Sequence, residues 1–203
     1  MTKQTNIIKK RYDRIASLFN MMDHAIRPSW REDLLKNVQG NILEVGVGTG
    51  ANFPYYPEGV HVIGIDFSPK MLEVAEKKIS EAKASITLKE MDAEQMDFPD
   101  NSFDVVVSTC VFCSVPNPIR GLQEIRRVVK PDGKVVMLEH MRSNNKIAAK
   151  MLDIINPITV RMSGANVNRE TIKNIENAGL KIEEEQYLMT SIMRKITASP
   201  NKQ

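Results

Sequence analysis

Residues 40–140 alternate between short apolar runs and segments with helical periodicity. The apolar runs predict five strands: NILEVGV, HVIGID, ASITLKEMD, SFDVVVSTCVF and GKVVMLEH. Two segments between them, SPKMLEVAEKKISEA and PIRGLQEIRRVV, place their apolar residues at the spacing of an amphipathic helix. Strands that alternate with helices predict parallel strands joined by crossovers, with helices on both faces of one sheet.

The chain after residue 140 follows a different pattern. NRETIKNIENAGL predicts a helix with Asn168 as its N-cap and Gly179 as its end. Two strand candidates follow, KIEEEQYLM and SIMRKITA, and the very short turn between them predicts an antiparallel hairpin. We therefore predict an α/β fold: a mostly parallel seven-stranded sheet with an antiparallel edge hairpin.

Length and composition indicate a single domain. The 203 residues are 42% hydrophobic, which is enough for one substantial core. We divide the chain into a helical lead-in (1–38), a ligand-binding core (39–140) and a closing part with a connection, a helix and the hairpin (141–203). No apolar run approaches the roughly 20 residues that cross a bilayer, and the N-terminus lacks a signal core, so we expect a cytoplasmic protein. The formal charge of +3 does not demand a nucleic-acid partner, and none is expected.

The stretch ILEVGVGTGAN, at residues 42–52, follows the first predicted strand. Its Gly46-x-Gly48-x-x-Ala51 pattern satisfies the dinucleotide-binding fingerprint, and Asp66 lies where the fingerprint places a ribose-binding carboxylate. Glycines at such a turn let any ligand approach the backbone closely at a helix N-terminus. The glycines alone therefore do not identify the ligand.

Three further features disfavour a nicotinamide-dependent oxidoreductase. The chain after residue 140 is too short for a substrate domain or a second mononucleotide-binding half. Glu44 lies two residues before the first glycine, at the mouth of the first strand, where its carboxylate suits a cationic amino group but would repel a pyrophosphate. Asp92 follows the third strand, where it can accept a hydrogen bond from an adenine amino group. Asp104, at the start of the fourth strand, is expected to be structural.

Four stretches resemble, in order, the motifs of class I S-adenosylmethionine (SAM)-dependent methyltransferases: LEVGVGTGANF, GIDFSPKMLEVA, MDAEQMDFPDNSFDVV and LQEIRRVVKPDGKVVMLEH. The opening RYDRIASLFNMMD resembles the lead-in helix of the ubiquinone/menaquinone and phospholipid methyltransferases. The stretch STCVFCSVPNPIRGLQEIRRVVKPDGKVVMLEH is most similar to bacterial phosphatidylethanolamine N-methyltransferases and to related membrane-associated thiol methyltransferases of animals. The resemblance implies a Rossmann-like fold and an enzyme that uses SAM and releases S-adenosylhomocysteine.

The resemblance also implies roles for individual residues. Tyr12 is expected to reach the methionine part of SAM, and Glu44 its amino group. Asp66 is expected to accept hydrogen bonds from both ribose hydroxyls, and Asp92 to read the adenine edge. For Tyr12 and Met71 the alternative is a place on the apolar face of their own helices. The expected cofactor contacts are Tyr12, Glu44, Gly46, Gly48, Gly50, Asn52, Asp66, Phe67, Met71, Asp92, Ala93 and Thr109.

His140 is the candidate catalytic residue. It closes the fifth strand, at the edge of the sheet where α/β proteins bind their ligands. An imidazole with a pKa near 6.5 can accept a proton from an amine or a thiol. The alternative is a histidine that only positions the substrate or caps the strand. His24 and His61 have no partner at a meaningful spacing, and we expect them to be surface or helix residues.

The pair Cys110-x-x-Cys113 raises the question of a zinc or redox site. A zinc site needs four ligands, and the sequence offers neither a second cysteine pair nor a nearby histidine pair. A thioredoxin-type motif begins a helix, whereas this pair follows the fourth strand. We therefore expect no metal, and two cysteines that pack beside the cofactor.

Two basic amphipathic segments lie outside the core motifs. The first covers about Thr5–Met22, with Ile7, Ile8, Tyr12, Ile15, Leu18 and Phe19 on one face and Lys9, Lys10, Arg11 and Arg14 beside it. The second, after the fifth strand, carries Ile147, Met151, Leu152, Ile154 and Ile155. A cationic amphipathic helix can lie in an anionic membrane interface. The alternative for the first segment is a lid packed on the sheet, and the second is expected to be a substrate wall.

These observations predict a cytoplasmic SAM-dependent methyltransferase, peripheral on the inner face of the membrane. The expected acceptor is lipid-like, with the nitrogen of phosphatidylethanolamine as first choice. The alternatives are a quinone-precursor C-methyltransferase, a small-molecule thiol methyltransferase, and a cofactor-binding protein without transferase activity.

Overall fold

The computed structural model describes residues 2–22, 26–162 and 164–202, without the side chains of residues 3 and 15–22. Seven strands form one sheet in the order β3-β2-β1-β4-β5-β7-β6. The strands are β1 (Asn41–Val45), β2 (His61–Asp66), β3 (Ser85–Glu90), β4 (Phe103–Thr109), β5 (Val129–His140), β6 (Lys181–Met189) and β7 (Met193–Ser199). The first five run parallel, and β7 is antiparallel to both β5 and β6. The predicted sheet with its antiparallel edge hairpin is confirmed.

Helices cover both faces of the sheet. They are α1 (Lys3–Met22), α2 (Pro28–Leu35), α3 (Pro69–Glu76), α4 (Pro118–Val128), α5 (Lys146–Met162) and α6 (Thr171–Asn177). One part of the core packs α4 and α6 against the sheet, and the other packs α2 and α3 against the opposite face. The central strand β1 is buried at every position after Asn41, as expected for a parallel strand covered on both sides.

The helix before the terminal hairpin begins later than the sequence predicts. We predicted Asn168 as its N-cap, but α6 starts at Thr171 with Glu170 in the N-cap position. The Asn168 side-chain amide instead donates a 3.0 Å hydrogen bond to Asp153 Oδ1 of α5. The residues around Asn168 in the sequence cannot reveal this contact, because Asp153 lies 15 positions earlier. Gly179 does follow the helix, with a φ of +82° that favours glycine.

The order of the strands places a crevice at the ends of β1 and β4. The chain moves from β1 outward to β2 and β3, then crosses back to β4 on the other side of β1. Ligands of open α/β sheets bind beyond the carboxyl ends of the strands at such a reversal. At the opposite ends, Asp104 accepts a 2.8 Å hydrogen bond from the Asn41 amide and pairs with Lys130, so its predicted structural role is confirmed.

Helix α1 packs two of its described apolar side chains inward against α3. Ile8 and Tyr12 are buried beside Met71, whereas Ile7 is 46% exposed. Lys9 pairs with Glu90 of β3. The side chains of Ile15, Leu18 and Phe19, and the whole of His24, lie outside the described residues. Among the residues that the structure describes, no helix has the length and apolar character that crossing a membrane needs.

Candidate active site

A cavity of about 440 Å³ lies at the carboxyl ends of the parallel strands. Twelve of the predicted site residues line it: Tyr12, Glu44, Gly46, Gly48, Asn52, Asp66, Phe67, Met71, Asp92, Ala93, Thr109 and His140. Gly50 is the one predicted site residue that does not line the cavity. The structure thus brings together residues that are spread over 129 positions of the sequence, from Tyr12 on α1 to His140 at the end of β5.

The three glycines of the turn after β1 have different surroundings, although all have a positive φ. A Cβ on Gly46 would lie 2.5 Å from Val111, and one on Gly50 would lie 2.5 Å from the ring of Phe53. At those two positions a side chain would clash with the protein itself, so packing requires glycine. A Cβ on Gly48 would meet only a backbone oxygen at 4.0 Å. Gly48 therefore leaves the backbone open to the cavity, as close approach of a ligand requires.

Asp66 ends β2, and two backbone amides hold its carboxylate at the glycine turn. Its carboxylate accepts hydrogen bonds from the backbone amides of Gly48 at 3.0 Å and Ser68 at 2.9 Å. Burial raises the pKa of Asp66 to about 6, although the two amides oppose this change. The carboxylate keeps further acceptor sites, because each oxygen has two lone pairs. Its position in the lining makes those sites accessible to hydroxyl donors of a ligand.

Aromatic and apolar side chains form the wall next to Asp66. The rings of Tyr12 and Phe67 meet edge to face with centroids 5.6 Å apart, and Met71 is almost fully buried beside them. Met71 both lines the cavity and packs against α1, so the two roles expected for it are compatible. Asp92 is fixed by the 2.9 Å hydrogen bond that its Oδ1 accepts from the Glu94 amide.

Tyr12 reaches across the cavity from α1 to the segment after β4. Burial raises the pKa of its hydroxyl well above the ordinary value, so the phenol is neutral. The hydroxyl forms a hydrogen bond with Ser114, which the sequence motifs did not single out. This contact joins the N-terminal helix to the chain that leaves β4.

A buried polar network lies on the other side of the glycine turn. The Arg31 guanidinium donates a 2.6 Å hydrogen bond to Asn52 Oδ1. The Asn52 amide donates to Glu44 Oε1 at 2.8 Å and to Thr109 Oγ1 at 3.0 Å. The Tyr56 hydroxyl donates to Glu44 Oε2 at 2.9 Å. The network therefore holds a buried cation and a buried carboxylate, both in the cavity lining.

Sequence reasoning found Glu44, Asn52 and Thr109 but missed Arg31 and Tyr56. Arg31 is 4% exposed and shares the buried face of α2 with Leu34 and Leu35. The sequence did offer one signal, an arginine at an apolar position of a helix. A charge that is buried at such a position needs a polar partner. Tyr56 gave no comparable signal, since a buried tyrosine is common in any core.

His140 lies at the end of β5 with its ring in the cavity lining. Burial lowers the pKa of this imidazole below its ordinary value, so the neutral form predominates at pH 7. A neutral imidazole at this place is able to accept a proton. His61, by contrast, lies at the start of β2, where it shares a 3.3 Å hydrogen bond with Ser85.

The wall beside His140 is apolar. Met193 pairs with His140 across β5 and β7, and Met189 pairs with Met193 across the terminal hairpin. Both methionines line the cavity, and Met189 is half exposed. The end of the cavity nearest His140 is therefore suited to a molecule with an apolar body.

Cys110 and Cys113 are free thiols in the cavity lining. Burial raises the pKa of both thiols, that of Cys113 to about 12. Protonated thiols are poor nucleophiles and poor metal ligands. The described residues contain no cluster of histidine, cysteine and acidic side chains that could hold a metal ion. The arrangement agrees with the packing role predicted for both cysteines.

Glu139 precedes His140 and points away from the cavity, as strand alternation predicts. It is fully buried, and its Oε1 accepts hydrogen bonds from Ser108 Oγ at 2.9 Å and from the Val111 amide at 3.1 Å. Burial raises the pKa of Glu139 to about 7. Because Val111 also contacts Gly46, Glu139 helps to fix the turn after β4 against the turn after β1.

The core of the chain matches a known family. Residues 43–137 match the family described as "Methyltransferase domain". The structure is also similar to that of a SAM-dependent methyltransferase from Thermotoga maritima, with a TM-score of 0.69 at 19% sequence identity. That similarity covers 94% of this chain and 99% of the other, and it supports the fold.

Curated relatives act on three kinds of acceptor. A phosphatidylethanolamine N-methyltransferase of Cereibacter sphaeroides is 43% identical over 54% of this chain and 56% of its own length. A demethylmenaquinone methyltransferase of a Geobacillus species is 40% identical over 65% of this chain and 59% of its own. A thiol S-methyltransferase of Homo sapiens is 33% identical over 85% of this chain and 76% of its own. The chain thus spans less than two thirds of the first two relatives.

Proposed function

This chain belongs to the class I SAM-dependent methyltransferases, and on that basis we propose that it methylates the nitrogen of phosphatidylethanolamine. Membership follows from the matched domain and from the human relative, of which the chain covers 76% at 33% identity. The family uses SAM, so the cofactor expected from the motifs is confirmed. The acceptor is the part that we propose.

The cavity has the groups that SAM requires. Asp66 would accept the ribose hydroxyls, and the open backbone at Gly48 would let the cofactor lie against the turn. Asp92 would face the adenine amino group. Glu44 and Arg31 provide opposite charges, which suits the ammonium and carboxylate of the methionine part. When bound, SAM supplies an electrophilic methyl carbon attached to a positively charged sulfur.

The protein would contribute to the reaction by deprotonating the acceptor amine and by placing it in line with the methyl group. The amine of phosphatidylethanolamine is an ammonium ion at neutral pH and has no lone pair available. Neutral His140 would accept its proton, after which the free lone pair would form the new nitrogen–carbon bond as the bond from that carbon to sulfur breaks, with S-adenosylhomocysteine as the leaving group. Solvent then removes the proton from the imidazole. In-line placement of the amine supplies the rest of the acceleration.

The observation that carries the choice of a lipid is the apolar wall at His140. Met189 and Met193 lie beside the expected proton acceptor, and Met189 extends to the surface. A head group could therefore reach His140 while its glycerol and acyl portions lie along apolar side chains. The Cereibacter sphaeroides relative gives independent support for this acceptor.

A thiol is the second candidate, and the human relative favours it because that similarity covers most of this chain. A thiol would also lose its proton to His140, and a small apolar thiol would fit the same wall. A quinone precursor has a different requirement, since its ring carbon reacts only when an adjacent phenolate activates it.

The acceptor can be identified by mass spectrometry of lipids, quinones and small thiols from cells that express the protein. Cells that express the Asp66→Ala variant are the control, since the variant should not hold the cofactor. We expect mono- and dimethylated phosphatidylethanolamine with the wild type alone. A new methylated thiol or quinone in place of the lipid would refute the proposed acceptor. No new methylated product in any extract would favour a cofactor-binding protein without transferase activity.

A further inference from the structure

Helix α5 directs its apolar face away from the rest of the molecule. Six large apolar side chains on it are between 43% and 76% exposed: Ile147, Met151, Ile154, Ile155, Ile158 and Met162. At 3.6 residues per turn, all six lie within an arc of about 100°. Ala149 is buried and lies on the opposite side of the helix. A helix of a globular protein normally buries its apolar stripe, so this orientation is reversed.

Polar contacts on the inner side hold the helix in this orientation. Asn156 Oδ1 accepts a 2.9 Å hydrogen bond from the Val167 amide, and the Val160 carbonyl accepts one of 2.5 Å from Arg11. Asp153 pairs with Arg142 at 2.7 Å. These contacts leave the apolar face outward. A contiguous exposed apolar patch of this kind marks an interaction surface.

The charges on α5 indicate what the patch contacts. Lys146, Lys150 and Arg161 are exposed, and on the helix they all lie on the same flank of the apolar arc. Asp153 is the one acidic residue of α5, and it is paired with Arg142. An apolar face with a cationic flank is the composition of a helix that lies in an anionic membrane interface.

Both ends of α5 lie next to the cavity. Beyond its C-terminal end, Gly164 packs against Ile8 of α1, and Ala165 lines the cavity. Before its N-terminal end, the Asn144 amide donates a 3.2 Å hydrogen bond to the hydroxyl of Tyr187 on β6. The same strand carries Met189, which is half exposed and lines the cavity. The segment before α5 is therefore bonded to the strand that carries Met189, and the segment after α5 contributes Ala165 to the cavity lining.

We propose that α5 docks the protein on an anionic lipid bilayer, with its six exposed apolar side chains in the interface. This differs from the sequence-based expectation, which gave the docking to α1 and a substrate wall to α5. On α1, Ile8 is buried and Lys9 and Arg11 are bonded within the protein. The inference rests on the proposed function, since a phospholipid head group must be met at the membrane surface.

The docking is tested by sedimentation with vesicles of phosphatidylcholine alone or mixed with phosphatidylglycerol. Wild type should sediment with the mixed vesicles at low salt, and much less at high salt. The variant Ile154→Ser/Ile158→Ser and the variant Lys146→Glu/Lys150→Glu/Arg161→Glu should each bind at least about tenfold more weakly. Because all five side chains are exposed, the variants should keep the wild-type circular dichroism and melting temperature.

A matched control is Lys77→Glu/Lys83→Glu/Lys134→Glu, which changes the net charge equally at exposed residues on other elements. It should retain most of the vesicle binding. Wild type that stays in the supernatant at low salt would overturn the proposal, and so would α5 variants that bind like the wild type. Sedimentation velocity that shows a dimer which Ile154→Ser/Ile158→Ser dissociates would assign the face to a second copy and overturn it too.

Turnover on a water-soluble short-chain phosphatidylethanolamine separates this inference from the proposed function. If both hold, the α5 variants should match the wild type on the soluble lipid and lose activity on vesicles. Vesicle binding without turnover on either lipid would remove the proposed acceptor but leave the docking intact. Equal loss on the soluble and the vesicle lipid would contradict a docking role for α5.

Discussion

The Gly48 amide donates a 3.0 Å hydrogen bond to Asp66 Oδ2, so that the glycine turn and the end of β2 form one unit. Gly48 lies in the turn that follows β1, Asp66 ends the adjacent parallel strand β2, and both residues line the cavity. Gly48 leaves space for a ligand, and Asp66 offers a carboxylate at the edge of that space. The Asp66 carboxylate is therefore the group whose proposed contact with the ribose hydroxyls we test first.

Replacing Asp66 with alanine should weaken S-adenosylhomocysteine binding by about 2–3 kcal/mol, because it removes charge-assisted hydrogen bonds to two hydroxyls. Isothermal titration calorimetry measures this change. Asp132→Ala, at an exposed residue near the start of β5, is the control and should bind normally. Wild-type affinity in Asp66→Ala would exclude Asp66 from the cofactor site.

Cofactor affinity should also depend on pH through Asp66. Burial holds its pKa at about 6 in the cofactor-free protein, and hydroxyl donors stabilise the charged form. Affinity should therefore be constant above about pH 7 and fall as the pH drops below 6, where the carboxylate takes up a proton. Calorimetry across this range gives the profile. An affinity that rises on acidification would contradict the assignment.

Replacing His140 with alanine should lower turnover about 100-fold or more and leave cofactor affinity nearly unchanged. Because burial lowers the pKa of His140 below the ordinary imidazole value of 6.5, protonation of the ring should slow the wild-type enzyme only at pH values below 6.5. The defect of the variant should shrink as the pH rises and the acceptor deprotonates by itself. Near-normal rates at neutral pH would reduce His140 to a positioning or structural role.

Removing the charge of Arg31 should destabilise the protein and weaken cofactor binding together. Arg31→Leu leaves the buried Glu44 carboxylate without its nearby cation, which should lower the free energy of unfolding by about 3 kcal/mol. Arg31→Lys should recover part of both properties. Urea unfolding and calorimetry are the measurements, with exposed Arg120→Ala as the control. Unchanged stability in Arg31→Leu would show that the buried network does not need its cation.

Glu139→Gln should stabilise the protein at neutral and alkaline pH. Because folding raises the pKa of Glu139 from 4.5 to about 7, the folded state holds a proton that the unfolded state has lost. Wild-type stability therefore falls as the pH rises from 4.5 to 7, and the neutral amide avoids this loss. We expect the gain in the free energy of unfolding to be about 3 kcal/mol larger above pH 7 than at pH 4.5. A gain of the same size at both pH values would contradict this origin.

The gathering of the expected cofactor residues around one cavity was predictable because several of them lie at strand ends. Glu44 and Asp66 lie at the carboxyl ends of β1 and β2, and Asp92 follows β3. Parallel strands bring their carboxyl ends together at one edge of the sheet. Arg31 was missed because its partner, Asn52, lies on a different element, and a single arginine in a short helix gives a weak signal.

The orientation of the amphipathic helices could not be predicted from their periodicity. A helical pattern defines an apolar face but not the direction in which the fold turns it. On α1, Ile8 and Tyr12 face inward, whereas on α5 the apolar residues Ile154 and Ile158 face outward. The difference arises from tertiary contacts such as the bond from Arg11 to the Val160 carbonyl.

The most direct test of the account is transfer of label from methyl-labelled SAM by the purified protein. The reaction should offer phosphatidylethanolamine in mixed micelles, a small apolar thiol and a quinone precursor, each in a separate tube. We predict label in the phosphatidylethanolamine fraction, none in the other two, and none in any fraction with Asp66→Ala. Label in the thiol or quinone fraction alone, or label in no fraction although S-adenosylhomocysteine binds, would contradict the central claim.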